Sequence, residues 1–429
     1  MHTLQKELKY PSRISRELDY LKEIRSSLGD VMNGKRIALG VTGSVSCYRA
    51  LDLARMLMRY GADVIPILSD DARRLVSPDL FMWATGNEPV TELTGRIEHV
   101  QLGSKRASGA DLVLVAPCTA STLGKIAAGI ADTPVTAVVS VALGAGTPVV
   151  VAPAMHEPMY DNPVISENIT RLKAAGVHFV EPRVEEGKAK LASPEDVVLK
   201  VSSLAGRGTL SGASILVTAG PTREHIDPIR VVSNSSSGKM GYSFARMSKM
   251  LGAKVSLVSG PTDISPPRVD QFVRVETTGE LLRSVSEMLK QEKYSLVVLA
   301  GAPSDYAPHR VSRRKLKTSE RPEIMLKLIA TPKIISVVKT LSPSSFVLGF
   351  KAEYGLPQDD LIREARALID AGKADSVVAN DASIPGAAFG SESNTGFLIG
   401  PGTNMKQIPM MPKLKFAQFV LEELAPYIK

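Results

Sequence analysis

From residue 214 to 241 the chain reads SILVTAGPTREHIDPIRVVSNSSSGKMG, and this stretch constrains the fold more than any other. The apolar run Ile215-Leu216-Val217 stops at Ala219-Gly220-Pro221, as a buried parallel strand does on reaching a turn. Further on, Ser233-Asn234-Ser235-Ser236-Ser237-Gly238-Lys239 leads into 242–251, where the apolar spacing predicts a helix. A Ser/Gly loop with a lysine at a helix start suits an anion, because free N–H groups and the helix dipole favour negative charge there. The loop is not a Walker A motif: Ser233 stands where that pattern needs glycine, and Met240 where it needs Ser or Thr. On spacing alone, a serine-rich cap on an ordinary helix is the alternative.

The same strand–loop–helix unit recurs along the chain. A strand is expected over 36–41, a Gly/Ser loop over 42–46, a helix over 50–60 and a strand over 62–68. Gly40 and Gly43 do not make GxGxxG, so a dinucleotide fingerprint is not supported. Another strand, 111–116, runs into the hydroxyl-rich loop 117–122 and a helix over 123–128; 147–153 forms the next strand. Two hydroxyl-rich loops at strand carboxyl ends point to one ligand site, since ligands of open α/β sheets gather there. In the second half, strands are expected at 254–260, 295–300, 346–350 and 374–381, with a helix near 280–290. The fold class is therefore α/β, with two open, mostly parallel-sheet, Rossmann-like domains.

At 429 residues the chain is long enough for both to bury proper cores. Residues 1–33 read as a helical extension, with Ile14, Leu18, Leu21 and Leu28 near helical spacing, and 200–213 (KVSSLAGRGTLSGA) as the linker between domains 34–199 and 214–429. Net charge is +8, but the basic residues are dispersed and aromatics are 5%, which argues against nucleic acid and for small anionic substrates. Cys47 and Cys118 make no disulfide framework, and no leader pattern or long apolar span is seen, so a cytoplasmic protein with no membrane contact is expected.

Four motifs in order, GVTGSVSCYRA, IEHVQL, APCTASTLGKIAAGIAD and PAMHEPMY, resemble the flavin-dependent phosphopantothenoylcysteine decarboxylases over about residues 35–192. TAGPTRE followed by SNSSSGKMG resembles the opening of phosphopantothenate–cysteine ligases, over about 213–425. The two halves stand in the order of the bifunctional coenzyme A biosynthesis family, in an archaeal-like version. The resemblance implies a flavodoxin-like domain followed by a ligase domain. The ligase would join L-cysteine to 4′-phosphopantothenate through an acyl nucleotide, made from CTP or from ATP as in eukaryotic ligases. The decarboxylase would give 4′-phosphopantetheine, with FMN oxidising the cysteine thiol to a thioaldehyde that serves as electron sink.

By that resemblance His99 is the catalytic histidine, Gly43, Ser44, Ser69, Thr119 and Ser121 hold FMN, and Met155 and His156 bind substrate. Two departures stand out: His156 replaces the family's asparagine, and the flap at 181–191 lacks the cysteine of bacterial and plant members. Lys188, Lys190 or His156 is the expected proton source in its place. In the ligase, Asn234 acts on the acyl intermediate, Asp305 contacts Mg2+ or nucleotide, and Lys315 belongs to a basic flap whose last lysine is here Thr318. Gly301, Pro332, Lys333 and Phe350 complete the nucleotide set, and Lys351 and Lys373 stand in for family lysines that are here Leu368 and Gly372. Family geometry implies a homo-oligomer of trimeric decarboxylase and dimeric ligase domains, together a dodecamer. The competing expectations are a chain with ligase activity only, and a non-catalytic flavin-binding regulatory oligomer.

Overall fold

The computed structural model describes residues 19–428 apart from 107–108, 186–187, 207, 318–322, 388–389 and 401–404; the side chains of 184–189 are likewise outside the description. The extension's Ile14 and Leu18, and Thr318 of the basic segment, lie outside the described residues. The chain divides into two compact units, Met1–Val201 and Ser202–Lys429. The helix Pro194–Ala205 runs into the stretch read as linker, so its first residues are helical rather than extended. The alternating apolar positions Val197, Val198 and Val201, all buried, explain why a Ser-rich segment still winds into a helix there.

In the first unit the strands are β1 (Arg36–Val41), β2 (Asp63–Leu68), β3 (Leu112–Cys118), β4 (Val149–Pro153), β5 (Met155–His156), β6 (His178–Phe179), β7 (Arg183–Glu185) and β8 (Lys188–Lys190). Five of them form a parallel sheet in the order β2-β1-β3-β4-β6. This is the flavodoxin-like order, and its topological switch point lies between β1 and β3. The strands are near-continuous Val/Ile/Leu runs because helices cover both faces. The helix Arg49–Arg59 shows why: Ala50, Leu53, Ala54, Leu57 and Met58 fall on one stripe and are all buried. Leu21, Val31 and Met32 of the extension are buried too, and Met32 N–H bonds the Tyr60 carbonyl at 2.9 Å.

In the second unit the strands are β9 (Ser214–Ala219), β10 (Arg223–His225), β11 (Val231–Ser233), β12 (Lys254–Ser259), β13 (Gln271–Arg274), β14 (Leu296–Leu299), β15 (Tyr306–Pro308), β16 (Leu328–Ala330), β17 (Phe346–Glu353), β18 (Ser376–Asp381), β19 (Ser393–Ile399) and β20 (Met405–Pro412). The main sheet runs β13-β12-β9-β14-β17-β18-β19-β20, parallel as far as β18 and antiparallel beyond. Its parallel part has the doubly wound order 3-2-1-4-5-6, with the switch point between β9 and β14. The helix Lys239–Met250 begins three residues before the apolar periodicity suggested, directly at the Ser/Gly loop. Gly241 lets it do so: a Cβ there would sit 2.5 Å from Cβ of Ala219 at the end of β9. Gly238, the residue before the helix, has φ +77°.

Candidate active sites

In the first unit the loops after β1 and β3 meet at the switch point. Thr42 Oγ1 donates to the Pro117 carbonyl at 2.8 Å and accepts the Thr119 N–H at 3.0 Å, which ties the two loops together. Thr119 Oγ1 accepts the Thr122 N–H at 3.2 Å and so caps the helix Ala120–Ala128. Only glycine fits at 43, since a Cβ would lie 2.3 Å from Cβ of Asp71. Beside these loops opens a cleft of about 570 Å³, walled by Gly43, Ser44, Arg49, Thr119, Met155, His156 and Lys190. That volume is in the range of small-molecule sites, roughly 300–1,000 Å³.

Of the cofactor contacts expected from sequence, Gly43, Ser44 and Thr119 are wall residues. Ser69 is 8% exposed, outside the wall, and its Oγ accepts the Ala72 N–H as the cap of the helix Asp70–Leu75. Ser121 is exposed on the helix and also stands outside the wall. Arg49 was not anticipated; its sequence signal is that it stands three residues after the Gly/Ser loop, where the helix Arg49–Arg59 begins. The flap folds as an antiparallel sheet β5-β8-β7 in which His156 pairs with Lys188 and Met155 with Ala189, so it is bound by backbone to the His156 segment.

His99 lies in the helix Glu98–Gly103 and is not part of that cleft wall. Its Nδ1 is enclosed and, among the described residues, without a hydrogen-bond partner. Ile97, which precedes the helix, has φ +51° and ψ +46°. A β-branched residue in the left-handed region is strained, and such strain gathers at functional sites.

In the second unit two clefts open at the carboxyl ends of the strands and share Gly301 and Phe350. The first, about 260 Å³, is walled by Asn234, the Ser236–Met240 loop, Asn380, Asn394 and Lys413. Asn234 Nδ2 donates to the carbonyls of Pro303 at 2.9 Å and Ala302 at 3.3 Å, bridging the loops that follow β9 and β14. The second, about 390 Å³, brings together Gly301, Asp305, Pro332, Lys333, Phe350, Lys351 and Lys373. Phe350 is fixed edge-on against Phe244, ring centroids 5.5 Å apart. Lys333 is ion-paired with Asp305. Lys351 holds Glu353 at 2.7 Å and Glu364 at 2.6 Å; burial alone would lower its pKa, but these two hydrogen bonds and charges outweigh it and raise it. Lys373 has no such partner among the described residues, and Leu368 on the same wall is apolar.

Both halves match known families. Residues 25–206 match the flavoprotein family and 210–427 the DNA/pantothenate metabolism flavoprotein C-terminal domain. The coenzyme A biosynthesis bifunctional protein CoaBC of Thermococcus kodakarensis is 44% identical over 95% of this chain and 99% of its own. That of Bacillus subtilis is 33% identical over 93% of this chain and 98% of its own. The chain belongs to the CoaBC family. It is a bifunctional enzyme of coenzyme A biosynthesis, with a flavoprotein phosphopantothenoylcysteine decarboxylase followed by a phosphopantothenate–cysteine ligase. Of these two relatives the archaeal one has the higher identity, in keeping with the archaeal-like version expected from sequence. A solved C-terminal domain of a CoaBC protein is also similar, at 30% identity over 51% of this chain and 97% of its own, with a TM-score of 0.42.

Lys315 is exposed and is a wall residue of neither ligase cleft. Its segment is fastened elsewhere. The buried Asp227 carboxylate accepts N–H bonds from Leu316 at 3.1 Å and from Ile229 and Arg230 at 2.8 Å, and the Arg230 guanidinium bonds both Asp227 at 2.6 Å and the Leu316 carbonyl at 2.9 Å. The Leu316 N–H, followed by the other backbone donors and Arg230, holds the Asp227 carboxyl well below the usual carboxylate range against the opposing effect of burial. Because the folded pKa is depressed, the stability this latch contributes is whole above the unfolded value of about 4 and is lost progressively as pH falls from there through the lower folded value. In Asp227→Asn, tryptic cleavage after Arg313, Arg314 or Lys315 at pH 8 is expected to speed up at least about tenfold, since one lost charge-assisted bond is worth about 1.5–3 kcal/mol. Equal cleavage rates for the two proteins would refute the latch.

Proposed function

We propose that the ligase activates 4′-phosphopantothenate as an acyl nucleotide made from CTP, and that the decarboxylase works with FMN. What carries the ligase reading is the convergence of Gly301, Asp305, Pro332, Lys333, Phe350, Lys351 and Lys373 on one cleft that joins the Asn234 cleft at Gly301 and Phe350. The nucleotide would lie in the larger cleft, its base against Phe350 and its phosphates toward Lys333 and Lys373. The acid would lie in the smaller one, its carboxylate near Asn234. The carboxylate oxygen attacks the α-phosphorus and pyrophosphate leaves; the cysteine amine then attacks the acyl carbon and the nucleoside monophosphate leaves. Lys315 would have to swing in from its latch to reach either centre.

Among the described residues no group of three or more His, Cys, Asp or Glu is set to hold a metal. Mg2+ is commonly held by one or two carboxylates and substrate phosphates, so it would arrive on the triphosphate and meet Asp305 there. In the first unit the Ser44 and Thr119 hydroxyls, the Arg49 guanidinium and the sterically closed Gly43 turn fit the phosphate and polar chain of FMN. Bound FMN would supply the two-electron chemistry that makes loss of CO2 from a plain carboxylate feasible. Met155 and His156 would bind the substrate, and Lys190, Lys188 or His156 would hold the proton delivered to the product. His99, outside its own chain's cleft wall, supports an oligomer in which it serves a neighbouring subunit. In the ligase unit, Tyr306 at 55% and Met325 at 99% exposure, near Leu328 and Ile329, support self-association as well.

Purified protein given 4′-phosphopantothenate, cysteine, Mg2+ and either CTP or ATP is expected to yield 4′-phosphopantetheine, with CMP as the by-product, by mass spectrometry. AMP from ATP with no turnover of CTP would overturn the nucleotide assignment. Accumulated phosphopantothenoylcysteine in a flavin-loaded protein would overturn the proton sources named for the flap.

A further inference from the structure

The smaller ligase cleft carries more positive charge than acyl chemistry requires. Lys413 opens the helix Lys413–Leu424 directly after Pro412, yet it is only 8% exposed. Its Nζ bonds the Ser391 carbonyl, and among the described residues no carboxylate lies within ion-pair distance. Lys239, at the start of the opposing helix, reaches the same loop, with Nζ 2.7 Å from the Gly390 carbonyl and 2.5 Å from Glu392 Oε1. The Glu392 side chain is 84% exposed, so water screens much of its charge. On the same wall Asn394 is 4% exposed, and its Oδ1 is enclosed and, among the described residues, without a hydrogen-bond partner.

A buried ammonium whose nearby counter-charge, Glu392, is exposed and already ion-paired with Lys239 is costly, and a buried amide atom unpartnered among the described residues adds to that cost. The first cost is relieved by one ligand group, a compact anion that accepts from Lys413 and Lys239; the Asn394 Oδ1, itself an acceptor, would take an N–H or O–H of the same ligand. The acyl chemistry sits where this cleft meets the larger one, at Gly301 and Phe350, whereas the lysines gather on the loop 390–392. A substrate with a carboxylate at one end and a phosphate at the other matches that division. Burial first, and Lys239 second, push the Lys413 pKa down, which a bound phosphate dianion would reverse.

We propose that Lys413, aided by Lys239, binds the 4′-phosphate of the acid substrate and is the residue by which the ligase selects phosphorylated over unphosphorylated pantothenate. This rests on the assignment of the acid to the smaller cleft. The test is steady-state kinetics of the full-length protein with 4′-phosphopantothenate and with pantothenate, at saturating cysteine and nucleotide. Lys413→Met is expected to raise KM for the phosphorylated acid about 10- to 100-fold, the size of one charge-assisted contact, with kcat within about twofold. kcat/KM for pantothenate stays as in the wild type, and Lys413→Arg recovers most of the loss. Decarboxylation of supplied phosphopantothenoylcysteine serves as the check that the chain is folded.

An unchanged KM for the phosphorylated acid, equal losses for both acids, or a wild type that does not discriminate between them would each overturn the proposal. Failure of the cleft assignment looks different: Asn234→Ala and Lys413→Met would then both leave ligation at the wild-type rate.

Discussion

Asn234→Ala is expected to slow amide formation by roughly 10²–10³-fold, the usual cost of removing one donor aimed at developing charge. Asn234 is held in place by two carbonyls, those of Ala302 and Pro303, on the loop after the neighbouring strand. It therefore stands at the switch point of the sheet, where the two clefts meet. When the cysteine amine attacks the acyl carbon, negative charge builds on the acyl oxygen, and Asn234 Nδ2 would meet it by turning an N–H from its longer bond, the 3.3 Å contact with the Ala302 carbonyl. Under the proposed assignment, nucleotidyl transfer would depend instead on Lys333, Lys373 and the triphosphate held in the other cleft. A burst of pyrophosphate without cysteine should thus persist in the variant while amide formation in quenched-flow samples falls. Equal slowing of both steps would place Asn234 in binding rather than in the second chemical step.

The fold was legible because parallel strands buried on both faces are near-continuous apolar runs. β1, β2, β3, β9, β12, β14 and β18 all show this, and β1, β2, β3, β9 and β12 run into Gly, Ser or Thr where the chain leaves the sheet. The antiparallel edge β19–β20 was not legible. Ser393-Asn394-Thr395-Gly396 has no apolar alternation, and it pairs because β18 supplies the neighbouring edge. Helix starts were placed late at Ala120 and Lys239, since their first turns face ligand loops and carry no apolar periodicity.

The sites were legible as motifs but not as side-chain directions. Ser69 and Thr119 both follow a strand end with a hydroxyl, yet Ser69 is buried as a helix cap outside the cleft wall and Thr119 is on it. Sequence alone cannot separate a cap from a ligand contact, because the same oxygen serves either. Lys413 and Asn394 were invisible for another reason. They reach the Ser/Gly loop only through the antiparallel pairing of β19 with β18 and β20, a tertiary event with no local signal. Lys315 was identified by resemblance, but its latch to Asp227 depends on an equally remote contact.

His99→Asn is expected to lower decarboxylation by roughly 10²–10⁴-fold, the range for loss of a general acid–base group, while ligation and flavin content stay at wild-type levels. Phosphopantothenoylcysteine should therefore accumulate in the coupled assay. The substitution should cost little stability, because among the described residues His99 Nδ1 makes no hydrogen bond that would be lost. A ring nitrogen that is enclosed and unpartnered among the described residues, two residues from the strained Ile97, fits the proposed service of His99 to a neighbouring copy. Since the cleft walled by Gly43 and Thr119 does not include His99, the histidine would complete the cleft of another copy. Co-assembly then offers a sharp check. Gly43→Ala, with its Cβ driven against Asp71, disables the cleft, and His99→Asn disables the histidine. Mixed oligomers of these two inactive chains should regain a fraction of wild-type decarboxylation, because some interfaces pair an intact cleft with an intact His99. No recovery in demonstrably mixed oligomers would mean that each chain completes its own site.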